Sequence, residues 1–359
     1  MHTGLHIPDP IKYMCFSSVP PNLFPCLLIR RSSTFDKLAI ETVKAFLLDQ
    51  VKMHLSTFIS SILLLLLTSS LSNAASLPLR SITWNIRYAT SSPGTGEKPW
   101  WTIFCSIWSD QCRMPHVQSL LSDTAAATSN PTIIGLQEVL SNQLSDVKSG
   151  LGSSWAHLGV GRDDGVSSGE FSPLLYRTDV FRVLFSETKW LSPTPDVVSF
   201  GWGAGSRRVV TLGVFEHIAT GKRFIAANTH LDNVSSQARS EGIKVAVSRI
   251  EAAQALYGGS LGVVLTGDFN SEPGGDAYAT LKGLGYLTEV WESGATRLGT
   301  NQLTYTGFTT VGISRIDYCW TGPVGANAVT VQQFEILGNV VDGVIASDHR
   351  AVVTDLTIV

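Results

Sequence analysis

From Leu79 to the C-terminus, short apolar runs alternate with longer periodic segments, and the apolar runs repeatedly end in polar residues. Ser81-Ile82-Thr83-Trp84-Asn85-Ile86 alternates polar and apolar, the period-two pattern of a half-buried strand. Thr132-Ile133-Ile134-Gly135-Leu136 reads as a short buried strand, preceded by a helix around His116–Asp123. Ser172–Arg177 and Phe181–Phe185 suggest a hairpin turning at Thr178-Asp179. Val209–Glu216 and Arg223–Leu231 suggest another, turning at Ala219-Thr220-Gly221-Lys222. Hairpins imply antiparallel pairing. A helix starts near Ser235 or Ser236 as N-cap and ends before Gly258-Gly259. Ile243, Val247, Ile250 and Gln254 form its stripe, with Ala253 and Tyr257 beside it. Val263-Val264-Leu265 suits the middle of a sheet, and Glu272-Pro273-Gly274-Gly275 is a turn signal. Val331–Leu337 and Ala351–Ile358 close the chain as strands. No Pro/Ser-rich linker or internal repeat interrupts the series. The pattern predicts one α/β sandwich domain of about 280 residues, with helices covering sheets.

Composition places the start of that domain. The 359 residues are 44% hydrophobic and 15% charged, as in a globular protein. Met53 opens MHLSTFISSILLLLLTSSLSNAASLPLR, with a short polar start, an apolar run from Ile59 to Leu67, and the small residues Ser72-Asn73-Ala74-Ala75-Ser76. That is the layout of a secretory signal peptide cut near Ala74 or Ala75. The run is short of the roughly 20 residues that a bilayer needs. Residues 53–75 are therefore read as signal peptide, 76–359 as the domain, and 1–52 as a gene-model extension or unstructured segment. A genuine extension, with Ile59–Leu67 as an internal apolar segment, stays open. The expected location is extracellular.

Residues 1–75 carry six of the 26 Lys/Arg and four of the 29 Asp/Glu, so the remainder has 20 and 25 and a formal charge of −5. No basic stripe of the kind that grips long nucleic acid is visible. Cys105, Cys112 and Cys319 remain. The first two close a short loop and form the natural disulfide pair in an oxidising compartment, while Cys319, in the apolar run IDYCW, reads as a buried free thiol. Asn233-Val234-Ser235 is a glycosylation sequon.

The polar ends of the apolar strands carry the candidate chemistry. Asn85 ends the first strand, and Gln137-Glu138 follow IIGL. Asn228, His230 and Asp232 stand in FIAANTHLDN, Asp268 and Asn270 in VVLTGDFN, Asp317 in SRIDYCW, and Asp348-His349 in ASDHRAVV. Singly, each has an ordinary explanation. Asp268 and Asn270 can start a turn, Glu138 can cap a helix, and His230 can be a hydrogen-bonded core residue. Asp317 can pair with Arg315, Asp348 can open a turn, and His349 can be its solvated neighbour. Together they supply one Glu, four Asp, three Asn and two His at strand ends. These are hard oxygen ligands for Mg²⁺ or Mn²⁺, without a cysteine pair for zinc, and two imidazoles able to move protons near neutral pH. Such a set suits attack of water on a phosphate ester.

Asn85 in TWNIR, Glu138 in LQE, NTHLD, GDFN, IDY and SDH occur in the order found in the endonuclease/exonuclease/phosphatase superfamily, which this chain resembles from about Ser81 to Val359. Its members include pancreatic-type deoxyribonucleases, apurinic-site endonucleases, deadenylases and inositol-phosphate phosphatases. GVGRDDG, GEFSPLLYR and TKWLSPTPD look like a subgroup of mostly uncharacterised hydrolases. The resemblance implies a four-layer α/β sandwich, with two mixed, mainly antiparallel sheets face to face and helices outside. It implies Glu138 as main metal ligand, with Asn85 and Asp348 holding the metal or its waters. Asp268 and Asn270 would orient the attacking water, while His349, polarised by Asp317, and His230 would act on the phosphate from two sides. Asn228 and Arg177, with Tyr176 beside them, would contact phosphate.

Other features carry more than one reading each. Arg162-Asp163-Asp164 is a specificity loop or a solvated turn. Glu170 orients His230, reaches the metal shell or is exposed. Arg207-Arg208 meets phosphate or pairs with a carboxylate, and Trp100-Trp101 forms a substrate rim or local packing. The function expected is a secreted, monomeric, Mg²⁺- or Mn²⁺-dependent phosphohydrolase. Its substrate would be a small phosphoester, an inositol phosphate or a nucleic acid. A non-catalytic binding protein on the same scaffold and a dedicated nuclease are the alternatives.

Overall fold

The structure is a computed structural model that describes residues 44–56 and 76–359. The chain divides into two compact units, Met1–Ser72 and Asn73–Val359. In the first, residues 44–56 are helical; 44–52 belong to the segment read as an extension or unstructured, and 53–56 to the expected signal peptide. Most of the expected signal peptide lies outside the described residues. The second unit contains everything below.

In chain order its strands are β1 Leu77–Asn85, β2 Thr132–Gln137, β3 Trp155–Leu158, β4 Leu174–Arg177, β5 Phe181–Trp190, β6 Val209–His217, β7 Arg223–His230, β8 Gly262–Asp268, β9 Thr288–Glu289, β10 Thr296–Leu298, β11 Asp317–Gly322, β12 Val329–Ile336, β13 Val340–Val341, β14 Val344–Ile345 and β15 Val352–Ile358. Its helices are α1 Met114–Ala126, α2 Ser141–Leu151, α3 Ser236–Tyr257 and α4 Asp276–Leu284. One sheet has the order β10-β12-β15-β1-β2-β4-β3, the other β5-β6-β7-β8-β11-β9. β1/β2, β7/β8 and β10/β12 are parallel, and the other pairs in these sheets are antiparallel.

Three apolar clusters stack these elements into four layers. Val117, Leu121, Leu144 and Val147 of α1 and α2 cover Ile82, Trp84, Ile134 and Leu136 on the first sheet. Ile243, Val247, Ile250 and Leu281 of α3 and α4 cover Val210, Leu212, Val263 and Leu265 on the second. Between the sheets lie Leu79, Ile133, Phe215, Phe224, Val264 and Leu356. The expected sandwich is present. α3 starts as predicted, with Ser235 as N-cap accepting a hydrogen bond from the Ala238 amide.

Two local expectations change. From Ser81 onward β1 is buried on both faces, not half-buried, because its polar face meets the other sheet: Ser81, Thr83 and Asn85 are all buried. Arg177 and Phe181 do not belong to a hairpin either. β4 pairs with β2 and β3, whereas β5 pairs with β6, so Thr178-Asp179 carries the chain from one sheet to the other. The Val209–Leu231 hairpin holds, with Glu216 opposite Arg223. Cys105 and Cys112 are joined in a disulfide, and Cys319 is buried and free. Trp100 is packed, with Nε1 donating to Asp146 at 2.8 Å, while Trp101 is exposed.

Candidate active site

The face between the sheets changes character along the strands. In β1 the alternate residues run Leu77, Leu79, Ser81, Thr83, Asn85; in β7 they run Phe224, Ala226, Asn228, His230; in β8 they run Val264, Thr266, Asp268. All three start apolar and finish polar. β1 and β2 run parallel, as do β7 and β8, so within each sheet the C-terminal ends coincide. β11 runs antiparallel to β8 and accordingly begins with its acid, Asp317 opposite Asp268. One end of the sandwich therefore gathers the polar groups around a cavity of about 610 Å³.

Glycine makes room for them. A Cβ at Gly135 would stand 2.4 Å from Thr266 Oγ1 and 2.7 Å from Asn228 Oδ1. Across that gap Asn228 binds the sheets together. Its Nδ2 donates to the Leu136 and Pro173 carbonyls at 2.7 and 3.0 Å, and its Oδ1 accepts from Gln137 Nε2 at 2.7 Å and Thr266 Oγ1 at 3.1 Å.

At the cavity floor, Asn85 Nδ2 donates to Glu138 Oε1 and to Asp268 Oδ2, both at 3.0 Å, so one amide aligns two carboxylates. Glu138 Oε2 accepts from the Tyr88 amide at 3.2 Å and lies 3.6 Å from Arg87 Nη1. Glu138 and Asn270 both adopt positive φ, +60° and +47°, which is strained for non-glycine residues and concentrates at functional sites. The Asn270 amide donates to Asp268 Oδ1 at 2.8 Å, and its side-chain Nδ2 faces His230 Nε2 at 3.0 Å. His349 Nδ1 is 2.8 Å from Asp317 Oδ2, while its Nε2 points to Asp268 Oδ2 at 3.8 Å. The Tyr305 ring flanks His349, with centroids 5.1 Å apart.

Electrostatics differentiate these groups. Burial, reinforced by the charge of Asp317, pushes Asp268 up to about 7. Burial alone would lower His349, but Asp317 outweighs it and raises the imidazole to about 10. Burial beside Arg208 and Arg162 holds His230 well below the usual histidine value. Burial also raises Asp348, and the nearby charge of Glu138 adds to the effect. Thus one imidazole is cationic and the other neutral at pH 7.

Both raised groups keep in the folded chain a proton that the unfolded chain has lost, so each contributes stability that falls as pH rises. For Asp268 the loss runs from about 4 to about 7, and for His349 from about 6.5 to about 10. Melting temperature in EDTA is expected to fall between pH 7 and 10, and His349→Gln is expected to flatten that limb. An equally steep fall in the variant would refute the assignment.

The donor set suits a hard divalent cation. Half-buried Glu138 and Asp348 and buried Asp268 present carboxylate oxygens to the cavity, and a cation would relieve the repulsion between Glu138 and Asp348. Asp268, Asp317 and His349 also bring ligand atoms within 4.8 Å of one another. In that second group the 2.8 Å contact engages Asp317 with His349.

The structure thus brings together Asn85, Glu138, His230, Asp268, Asn270, Asp317, Asp348 and His349. It does not bring in the three residues read as phosphate contacts. Asn228 is buried with its amide engaged in the links described above. Tyr176 and Arg177 end β4, which runs antiparallel to β2, so they lie at the opposite end of the sandwich. There Arg177 pairs with Asp179. Conversely, Arg87, Arg162, Glu170, Arg208 and Tyr305 line the cavity. Of these, Arg162, Glu170 and Arg208 stood out in the sequence only as ambiguous charges. Arg87 directly follows the TWNI strand and Tyr305 lies in a loop, and neither carried a pattern.

No match was found among curated protein sequences. Solved structures do match. An endonuclease/exonuclease/phosphatase from Bacteroides vulgatus is 31% identical, with a TM-score of 0.66, covering 79% of this chain and 100% of its own. A protein of that family from Bacteroides thetaiotaomicron is 27% identical, with a TM-score of 0.67, covering 79% and 99%. A mannosyl-6-phosphatase from Bacteroides thetaiotaomicron is 28% identical, with a TM-score of 0.65, covering 77% and 99%. The model of the endonuclease/exonuclease/phosphatase family matches residues 82–349, a span that starts in β1 and ends on His349. With its fold, its strand-end acids and that match in agreement, the chain belongs to the endonuclease/exonuclease/phosphatase family.

Proposed function

We propose that the protein is a secreted, divalent-metal-dependent phosphoesterase acting on a small phosphate ester. Family members hydrolyse phosphoester bonds. The observation that carries the reading is the Asp317–His349 pair, whose imidazole edge opens onto Asp268 and the Glu138/Asp348 wall in one cavity. Glu138, aligned by Asn85, and Asp348 would hold a Mg²⁺ or Mn²⁺ ion, which when bound supplies charge neutralisation at a phosphate oxygen. The chain's own groups do the rest. His349, kept protonated by Asp317, donates to a second phosphate oxygen. Asp268, whose raised proton affinity makes it a competent acceptor near pH 7, takes a proton from the attacking water. The Asn270 amide fixes the Asp268 carboxylate for that task, and neutral His230, whose Nε2 accepts from Asn270 Nδ2, holds the Asn270 side chain in place on the far side.

A small substrate is supported by the acidic charge of the domain and by likeness to the mannosyl-6-phosphatase. Secretion is supported by the signal-like Met53–Ser76 segment and the Cys105–Cys112 disulfide. The test is hydrolysis of p-nitrophenyl phosphate and bis-p-nitrophenyl phosphate by chain beginning at Ser76, with Mg²⁺, Mn²⁺ or EDTA. We expect release with either metal and at least a 100-fold drop in EDTA. Release that EDTA leaves unchanged would overturn metal dependence. Activity confined to a DNA or RNA panel would replace the small-ester reading with a nuclease.

A further inference from the structure

Arg208 stands immediately before β6 with only 7% of its surface exposed, and it lines the cavity on the His230 side. Its neighbour Arg207 turns outward, near Asp163 at 3.5 Å and the Phe200 ring at 5.4 Å. Arg208 uses one nitrogen: Nη2 donates to Asn233 Oδ1 at 3.0 Å, while Nε and Nη1 have no protein hydrogen-bond partner. The other cavity arginines are differently placed. Arg162 is held by Glu170 through two bonds of 2.8 and 2.7 Å, and Arg87 sits between Glu97 at 3.4 Å and Glu138 at 3.6 Å.

The carboxylate nearest to Arg208 does not satisfy it. Asp232 Oδ2 is 3.6 Å from Arg208 Nε. Both oxygens of Asp232 already accept from main-chain amides, those of Gly205, Ser206, Val234 and Ser235, at 2.8 to 3.2 Å. Asp232 therefore ties the loop before β6 to the loop after β7, and so fixes where Arg208 stands. A buried guanidinium with donors left over costs stability unless an acceptor completes it. Guanidinium N–H groups match phosphate oxygens in geometry and charge.

We propose that Arg208 is a specificity-determining residue: it binds a terminal, non-esterified oxygen of the scissile phosphate and so selects phosphomonoesters over phosphodiesters. This rests on the phosphoesterase reading above. A monoester presents three non-bridging oxygens and up to two charges, so one oxygen remains for Arg208 after the acidic, cation-holding wall and His349 have each taken one. In a diester that third oxygen carries a second substituent, which accepts poorly and pushes against the Arg208 wall. Discrimination comes from leaving a buried donor unpaired with the wrong ester.

The experiment compares kcat/KM for p-nitrophenyl phosphate and bis-p-nitrophenyl phosphate in wild type, Arg208→Gln and Arg208→Lys, with melting temperature as a control for folding. The monoester-to-diester ratio is expected to exceed one in the wild type and to fall at least tenfold in Arg208→Gln. Lysine keeps the charge without the fork and is expected to restore only part of the ratio; it is also the variant to read if glutamine prevents folding. Equal losses on both esters, or none, would overturn the proposal. If the wild type cleaves neither ester, the small-ester reading fails instead, and calorimetry with inorganic phosphate decides the subsite separately. A tenfold or greater weakening of phosphate binding in Arg208→Gln supports it, and unchanged binding overturns it.

Discussion

Replacing His349 with alanine is expected to lower kcat by about 10³-fold on every ester that the protein cleaves, the scale usual for a positioned proton donor. The imidazole is buried, and Asp317 holds its Nδ1 at 2.8 Å, so the edge that faces the cavity carries a proton at neutral pH. Alanine removes the donor and also leaves the Asp317 carboxylate buried without its partner. Asp317→Asn keeps the shape of the pair but withdraws the charge that sustains the proton. Its loss is expected to approach that of His349→Ala, and the double variant is expected to be little worse than either single one, because the two residues act as a unit. Steady-state kinetics of the three variants check this. Multiplicative losses in the double variant would show that Asp317 and His349 act independently and would sink the pair as the proton donor.

Glu138→Gln is expected to abolish two responses at once. Wild-type protein should melt at a higher temperature in Mn²⁺ than in EDTA, since a ligand at 100 times its Kd stabilises by about 2.7 kcal/mol. The glutamine variant keeps the volume and the Asn85 neighbour but loses the charge on the Glu138 side. It should show no metal-induced rise, and its turnover should drop by about 10³ or more. Differential scanning calorimetry with and without metal reads the first effect independently of the second. A full metal-induced rise in the variant would move the cation to the Asp268/Asp317 side.

The sequence made the acidic and imidazole residues legible because they stand at fixed parity in recognisable strands. Leu77, Leu79, Ser81, Thr83 and Asn85 already spell the passage from core to site, as do Phe224, Ala226, Asn228 and His230. Direction was harder to read. Tyr176 and Arg177 end an apolar run just as Asn85 does, but β4 points the other way, and only pairing reveals it. Parity also misled for Asn228, since a residue one step before the strand end still lies inside the sandwich. α2 and α4 escaped notice because SNQLSDVKSGL has few apolar positions and α4 is a short helix directly after two glycines. β3 has four residues, with a histidine among them. Arg208 was visible only as a charge, because its role depends on how Asp232 ties two loops together.

The two sheets contribute different halves of the cavity. Asn85, Glu138, Asp348 and His349 stand at ends of first-sheet strands or in the loops beside them, whereas His230, Asp268, Asn270 and Asp317 belong to second-sheet strands and their loops. Neither half can act by itself, and the amide bridge at Asn228 sets their separation. Catalytic output therefore doubles as a gauge of sheet-to-sheet docking. As the protein is warmed, turnover should fade while backbone circular dichroism still reports intact strands, because a slip of about an ångström silences the chemistry without breaking a ladder.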